Sequence, residues 1–171
     1  MADDRLARIN EILTDPLTTF DDLSISYIVP WTDTNLLGKE SVDIILSHAV
    51  LEHVVDLDGT YNSLVGYLKH GGMMTHQIDF DCHGLSAAWN GYRTYPEFIW
   101  KMILGKRPFL INRIPCTEHI RHICENNCMI SCLLKSYRSD GIDRSKLAAK
   151  WKNITDDDLN CTGAFLQAKK I

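Results

Sequence analysis

Residues 41–55, SVDIILSHAVLEHVV, restrict the possible folds more than any other stretch of this 171-residue chain. The run Val42-Asp43-Ile44-Ile45-Leu46 places one carboxylate among four apolar residues, the pattern of a strand buried on both faces in a parallel sheet. Ser47-His48 breaks the run, and residues 49–55 resume it as a short apolar turn or helix start. Polar groups where a parallel strand ends lie at the carboxyl edge of the sheet, where open α/β folds bind ligands. Asp56 or Asp58 then caps a helix over residues 58–70, with Tyr61, Leu64, Val65 and Leu68 on one face. Lys69 and His70 suit its negative end, and Gly71-Gly72 supply a stop. Residues 73–80 read as the next strand. The order strand–helix–GG–strand predicts a right-handed βαβ crossover, with 42–46 and 73–80 as adjacent parallel strands.

The remaining elements are read the same way. Residues 3–13 carry Leu6, Ile9 and Leu13 at helical spacing, closed by Pro16. Residues 23–29 alternate as a strand ended by Pro30, and 31–40 form a loop. Helices are expected at 96–104, with Phe98, Ile99, Met102 and Ile103 inward, and at 117–125, capped by Thr117 with Ile120, Ile123 and Cys124 inward. Residues 128–138 and 161–169 read as strands, separated by a short helix near 145–151 and a polar turn at 155–158. Nothing marks an internal domain boundary, so one domain is expected.

From about Leu6 to the C-terminus, this pattern resembles class I S-adenosylmethionine (SAM)-dependent methyltransferases, with residues 42–48 like that family's fourth-strand motif. In that family such a strand ends in a short polar stretch followed by a segment like Ala49–Val54. Residues 76–83, HQIDFDCH, the Trp-rich insert at 89–100, Asn112-Arg113-Ile114 and the helix near 117–129 continue the likeness. Asn127-Cys128 replaces the family's glycine-phenylalanine pair, which Asn tolerates because it accepts a left-handed backbone. The fold implied is Rossmann-like α/β, a mostly parallel sheet with an antiparallel C-terminal hairpin. The family's glycine-rich SAM loop and the acid after its second strand have no counterpart, since no G-x-G pattern occurs. The resemblance therefore implies an N-terminally truncated or split methyltransferase domain, or a degenerate relative.

The same resemblance suggests site residues. Asp33 matches the acid near the adenine of SAM, and Ser47 and His48 match the end of the fourth-strand motif, as cofactor-binding residues. A turn-forming Asp and strand-end polar groups are the plainer alternatives. His76, Asp79, Asp81 and His83 are the densest polar cluster, and His76, Asp79 and His83 are candidate catalytic residues, a carboxylate–imidazole base for an attacking hydroxyl. His76 and Asp79 point to opposite faces of a regular strand. A hydrogen-bonded loop anchor and a metal-dependent hydrolase using His76, Asp79 and His83 are the alternatives. Trp89 and Tyr92 are candidate substrate-binding residues of a lid, or they only pack the insert; Asn112 and Arg113 suit a carboxylate or phosphate on the substrate, with an ordinary exposed helix-cap Arg as the alternative. Cys124, Cys128 and Cys132, beside His119 and His122, lack zinc-site spacing and read as small core residues.

The expected activity is methyl transfer from SAM to a small-molecule acceptor, with a non-catalytic binding module as the other alternative. A chain supplying the missing strands, or a homo-oligomer, is the expected partner. A net charge of −4 without a long basic run argues against nucleic acid. The acidic start, the lack of a long apolar run and six cysteines without a secretory signal suggest a cytoplasmic protein with reduced thiols.

Overall fold

Strand β1 (Val42–His48) pairs in parallel with β2 (Leu68–Asp79), and helix α2 (Leu57–Tyr67) connects them. The computed structural model describes residues 2–15, 17–29, 37–107 and 109–171. It divides into two units, Met1–Trp31 and Thr32–Ile171. The first unit holds helix α1 (Ala2–Thr14) and an isolated bridge between Phe20 and Leu23. In α1 it is Ile12 that is buried, while Leu6 and Leu13 are exposed; Arg8 stacks over Phe20 and pairs with Asp22. The strand expected at residues 23–29 is not formed. Alternation alone makes no strand without a ladder partner, and Ile25, Tyr27 and Val29 are exposed.

In the second unit, helices α3 (Glu97–Leu104), α4 (Cys116–Glu125) and α5 (Asp156–Asn160) accompany strands β3 (Cys128–Tyr137) and β4 (Cys161–Lys170). The sheet order is β1-β2-β4-β3, with β4 antiparallel to both neighbours. The parallel β1–β2 pair and the C-terminal hairpin thus take the arrangement read from the sequence. Asn127, between α4 and β3, has φ 56°, the left-handed conformation expected for it.

Several local expectations are corrected. Helix α2 ends at Tyr67, and Lys69, His70 and the glycines lie within β2. The β1–β2 register steps from Val42–Leu68 to Ile44–Met73, so residues 69–72 bulge outward. Gly71 has φ 78°, and a Cβ on Gly72 would sit 2.9 Å from the Lys69 carbonyl oxygen and 3.1 Å from that of Asp43. The glycines therefore permit a bulge and do not stop the helix. Lys69 pairs with Asp43 instead of capping α2. On α3, Trp100 is buried while Phe98 and Met102 are exposed. On α4, Cys124 is exposed, and His119, His122 and Ile123 face inward. Thr117 does not cap that helix; its N–H and hydroxyl donate to buried Asp158, whose carboxylate meets the helix N-terminus.

The main core packs Met74 and Ile78 of β2 and Ala164, Leu166 and Ala168 of β4 against Tyr61, Leu64 and Ile123 of the helices. Side chains alternate along a strand, and among the described residues of the second unit one face of the sheet packs on α2 and α4. Ile44 and Leu46 fall on the other face and are 64% and 75% exposed, contrary to the expectation of a strand buried on both sides. None of the six cysteines forms a disulfide, and Cys116, Cys128 and Cys161 are core residues.

Candidate functional site

The carboxyl ends of β1 and β2 form the candidate site. Beyond His48 the chain makes one more ladder bond, from the Ala49 N–H to the Gln77 carbonyl at 3.0 Å, then turns sharply with Ala49 at φ 53°. A 3₁₀ turn, Leu51–His53, follows. His48, Ala49, Gln77, Asp79, Ser136, Thr162 and Gly163 line an open groove of about 370 Å³ at this edge.

Asp79 and His83 come together beside the groove. Asp79 Oδ2 lies 3.1 Å from His83 Nε2, while Oδ1 accepts from the Asp81 N–H at 2.8 Å. The turn through His83 and Gly84, both at positive φ, brings the ring back over the strand end. Both side chains are partly exposed, so the carboxylate can orient the imidazole while the ring stays open to a ligand.

His76 is elsewhere. Odd spacing from Asp79 puts it on the helix-packed face, fully buried, with Nδ1 2.7 Å from Ser47 Oγ. Its ring meets Tyr61 edge-on at 6.0 Å, and Tyr61 in turn hydrogen-bonds His119 and stacks on His122. Burial pushes the His76 pKa down to about 4 and that of His119, beside His76 and His122, to about 3. Both rings are neutral core groups at pH 7. Ser47 is likewise turned toward that face, whereas His48 lines the groove. Asp33 lies outside the described residues.

A void of about 10 Å³ adjoins Asp79, lined also by Glu52, Tyr92, Asn112 and Arg113. Tyr92, Asn112 and the two terminal nitrogens of Arg113 have internal partners, while Arg113 Nε is buried without one. Tyr92 donates to the Phe80 carbonyl at 3.1 Å, and Asn112 Nδ2 donates to the carbonyls of Leu51 and Val54. Arg113 pairs with Glu97 at 2.8 Å and lies over the Trp100 ring at 4.2 Å. Trp89 is buried in the insert, and its carbonyl accepts from the Cys82 N–H.

Glu52 and His53, which the sequence places on the turn after the first strand, are residues to which sequence reasoning gave no site role. Glu52 is 2% exposed, and neither carboxylate oxygen has a hydrogen-bond partner. Burial pushes its carboxyl above the ordinary glutamate range, and neighbouring His53 and His83 work against that shift. Ligand atoms of Glu52, His53 and His83 all lie within 4.8 Å of one another. His76 is not part of that set, so the donor trio imagined for a hydrolase is not assembled. The available signal was a carboxylate set inside an apolar run, Leu51-Glu52-His53-Val54.

No protein-family model and no curated protein sequence matches the chain. Solved structures do. The chain superposes on a geranyl diphosphate methyltransferase in complex with SAM with a TM-score of 0.55 at 15% identity, over 98% of this chain and 62% of that one. Geranyl diphosphate C-methyltransferase from Streptomyces coelicolor A3(2), in complex with Mg²⁺, geranyl diphosphate and S-adenosyl-L-homocysteine, gives 0.54 at 15% identity, over 88% and 54%. A SAM-dependent methyltransferase from Mesorhizobium loti gives 0.54 at 12% identity, over 94% and 76%. The chain thus spans somewhat over half the length of the first two. No helix among the described residues is long and apolar enough to cross a membrane. In its α/β architecture and mixed four-stranded sheet, the chain is similar to SAM-dependent methyltransferases.

Proposed function

We propose that the chain forms part of a SAM-dependent methyltransferase acting on a small-molecule acceptor. The supporting observation is the sheet order β1-β2-β4-β3 with a parallel β1–β2 pair, in a fold similar to enzymes of that activity. The described residues fit part of such a cofactor site. They offer the groove at His48 and Ala49, but no glycine-rich turn between a strand and a helix. We assign the parts that hold methionine and ribose to a further segment or a second chain, which leaves the isolated chain weak in SAM binding.

When bound, SAM supplies an electrophilic methyl carbon. This chain's residues handle the acceptor: Asp79 holds the His83 ring, and His83 accepts the proton of an acceptor hydroxyl. Tyr92, Asn112 and Arg113 shape the wall beside Asp79.

Titration of ¹⁵N-labelled chain with SAM tests this reading, because amide shifts detect weak binding. Shifts confined to Ser47–Ala49 and Asp79–His83 are expected. No shift at those residues with millimolar SAM would overturn the reading. Shifts without methyl transfer in the completed protein would leave a non-catalytic binding module.

A further inference from the structure

We propose that Glu52, His53 and His83 form a binding site for one divalent transition-metal cation. The proposal starts from an uncompensated cost. Both oxygens of the Glu52 carboxylate are buried and unpartnered, as is Nδ1 of His53. A buried carboxylate without a partner is strongly disfavoured unless a charge or metal compensates it. Here two imidazoles, of His53 and His83, offer ligand atoms that lie with one from the carboxylate all within 4.8 Å of one another.

The local architecture holds the donors in place. Glu52 and His53 are adjacent on the 3₁₀ turn that follows β1, and His83 is on the loop that follows β2. These segments leave neighbouring parallel strands at the same edge, so the sheet sets their separation. The His53 and His83 rings are 5.3 Å apart. Donors around an ion of this kind stand about 3 to 3.5 Å from one another, given bonds of about 2.1 Å. His83 is the exposed member and has room to close that difference. Metal-ligating histidines commonly direct their second ring nitrogen to a carboxylate, and His83 is already bonded to Asp79.

Two imidazoles and one carboxylate suit Zn²⁺, Mn²⁺ or Fe²⁺, whereas Mg²⁺ and Ca²⁺ prefer oxygen donors. Three protein ligands leave at least one position open. Within the methyl-transfer reading, such an ion would ionise an acceptor hydroxyl bound to it, a task otherwise left to His83. The site itself stands without that reading.

The test uses tag-free full chain, stripped with chelator and titrated calorimetrically with Zn²⁺, Mn²⁺ and Mg²⁺, with bound metal measured after dialysis. A single equivalent of Zn²⁺ or Mn²⁺ is expected, tighter than Mg²⁺. His83→Ala should weaken it about 10- to 100-fold. His83 is exposed, so this variant keeps its circular dichroism spectrum. Glu52→Gln should weaken binding as well, and His70→Ala, at a histidine facing Glu40, should not. No stoichiometric binding of Zn²⁺ or Mn²⁺ would overturn the proposal. Equal binding by wild type and His83→Ala, or equal losses in His83→Ala and His70→Ala, would also overturn it.

Discussion

The side-chain amide of Asn112 donates to the carbonyl of Leu51 at 2.7 Å across 61 residues of sequence. The same nitrogen donates to Val54 at 2.9 Å, and the Asn112 backbone N–H donates to the Glu52 carbonyl at 2.6 Å. Asn112 Oδ1 accepts from the Ile114 N–H. One residue thus clamps the whole turn that carries Glu52 and His53. Asn112→Ala leaves two carbonyls and one N–H without these partners and should cost about 2 kcal/mol, lowering Tm by about 5 °C. A thermal melt followed by circular dichroism checks this. An unchanged midpoint would show that the turn holds itself.

The buried histidines make the fold sensitive to acid. His76, with a pKa of about 4, and His119, with one of about 3, both titrate below the ordinary histidine value of 6.5. The unfolded chain therefore binds more protons over that interval, and stability must fall as pH drops. It is fully present above about 6.5 and is lost progressively toward pH 4, with His76 alone accounting for about 3 kcal/mol. Urea midpoints between pH 7.5 and 4.5 measure the slope. His119→Phe should flatten it, and a slope unchanged by that variant would count against this assignment.

Glu52 acts in the opposite sense. Its carboxyl titrates above the ordinary glutamate range because it is buried, so the stability tied to its neutral form is present at low pH. That stability is lost as pH rises through the raised pKa. In metal-free protein at neutral pH, Glu52→Gln should raise stability by about 1 kcal/mol. The gain should shrink as the pH is lowered. A destabilised Glu52→Gln would mean that the carboxylate has a partner in solution.

Among the described residues β1 is an edge strand, and its exposed face carries Ile44 and Leu46. An open edge beside apolar side chains is a template for pairing with another chain. Sedimentation should therefore show concentration-dependent self-association of the purified chain. Leu46→Lys should shift it toward monomer. A monomer at every concentration tested would remove the homo-oligomer from consideration.

Much of the fold was legible because its signals are local. The apolar run at Val42, the helical spacing of Tyr61, Leu64 and Val65, and the left-handed Asn127 each report on residues within one or two turns. The candidate site was legible only in part. Asp79 and His83, four residues apart, meet as read, since one loop closes that distance. His76 was misplaced as a reactive group because its environment comes from α2 and α4, which supply Tyr61 and His119. Glu52 was given no site role for the same reason, its burial depending on Asn112 and the segment around it.

By itself, then, the sequence determined the βαβ unit, the C-terminal hairpin and the edge where polar groups collect, because hydrophobic period and turn chemistry act over a few residues. Tertiary structure decided the rest. It left residues 23–29 without a ladder, turned Gly71-Gly72 into a bulge against Asp43, and packed one face of β1. It also brought an unpartnered carboxylate to two histidines. Burial and charge compensation depend on which distant segments meet, and no local pattern in one chain encodes that meeting.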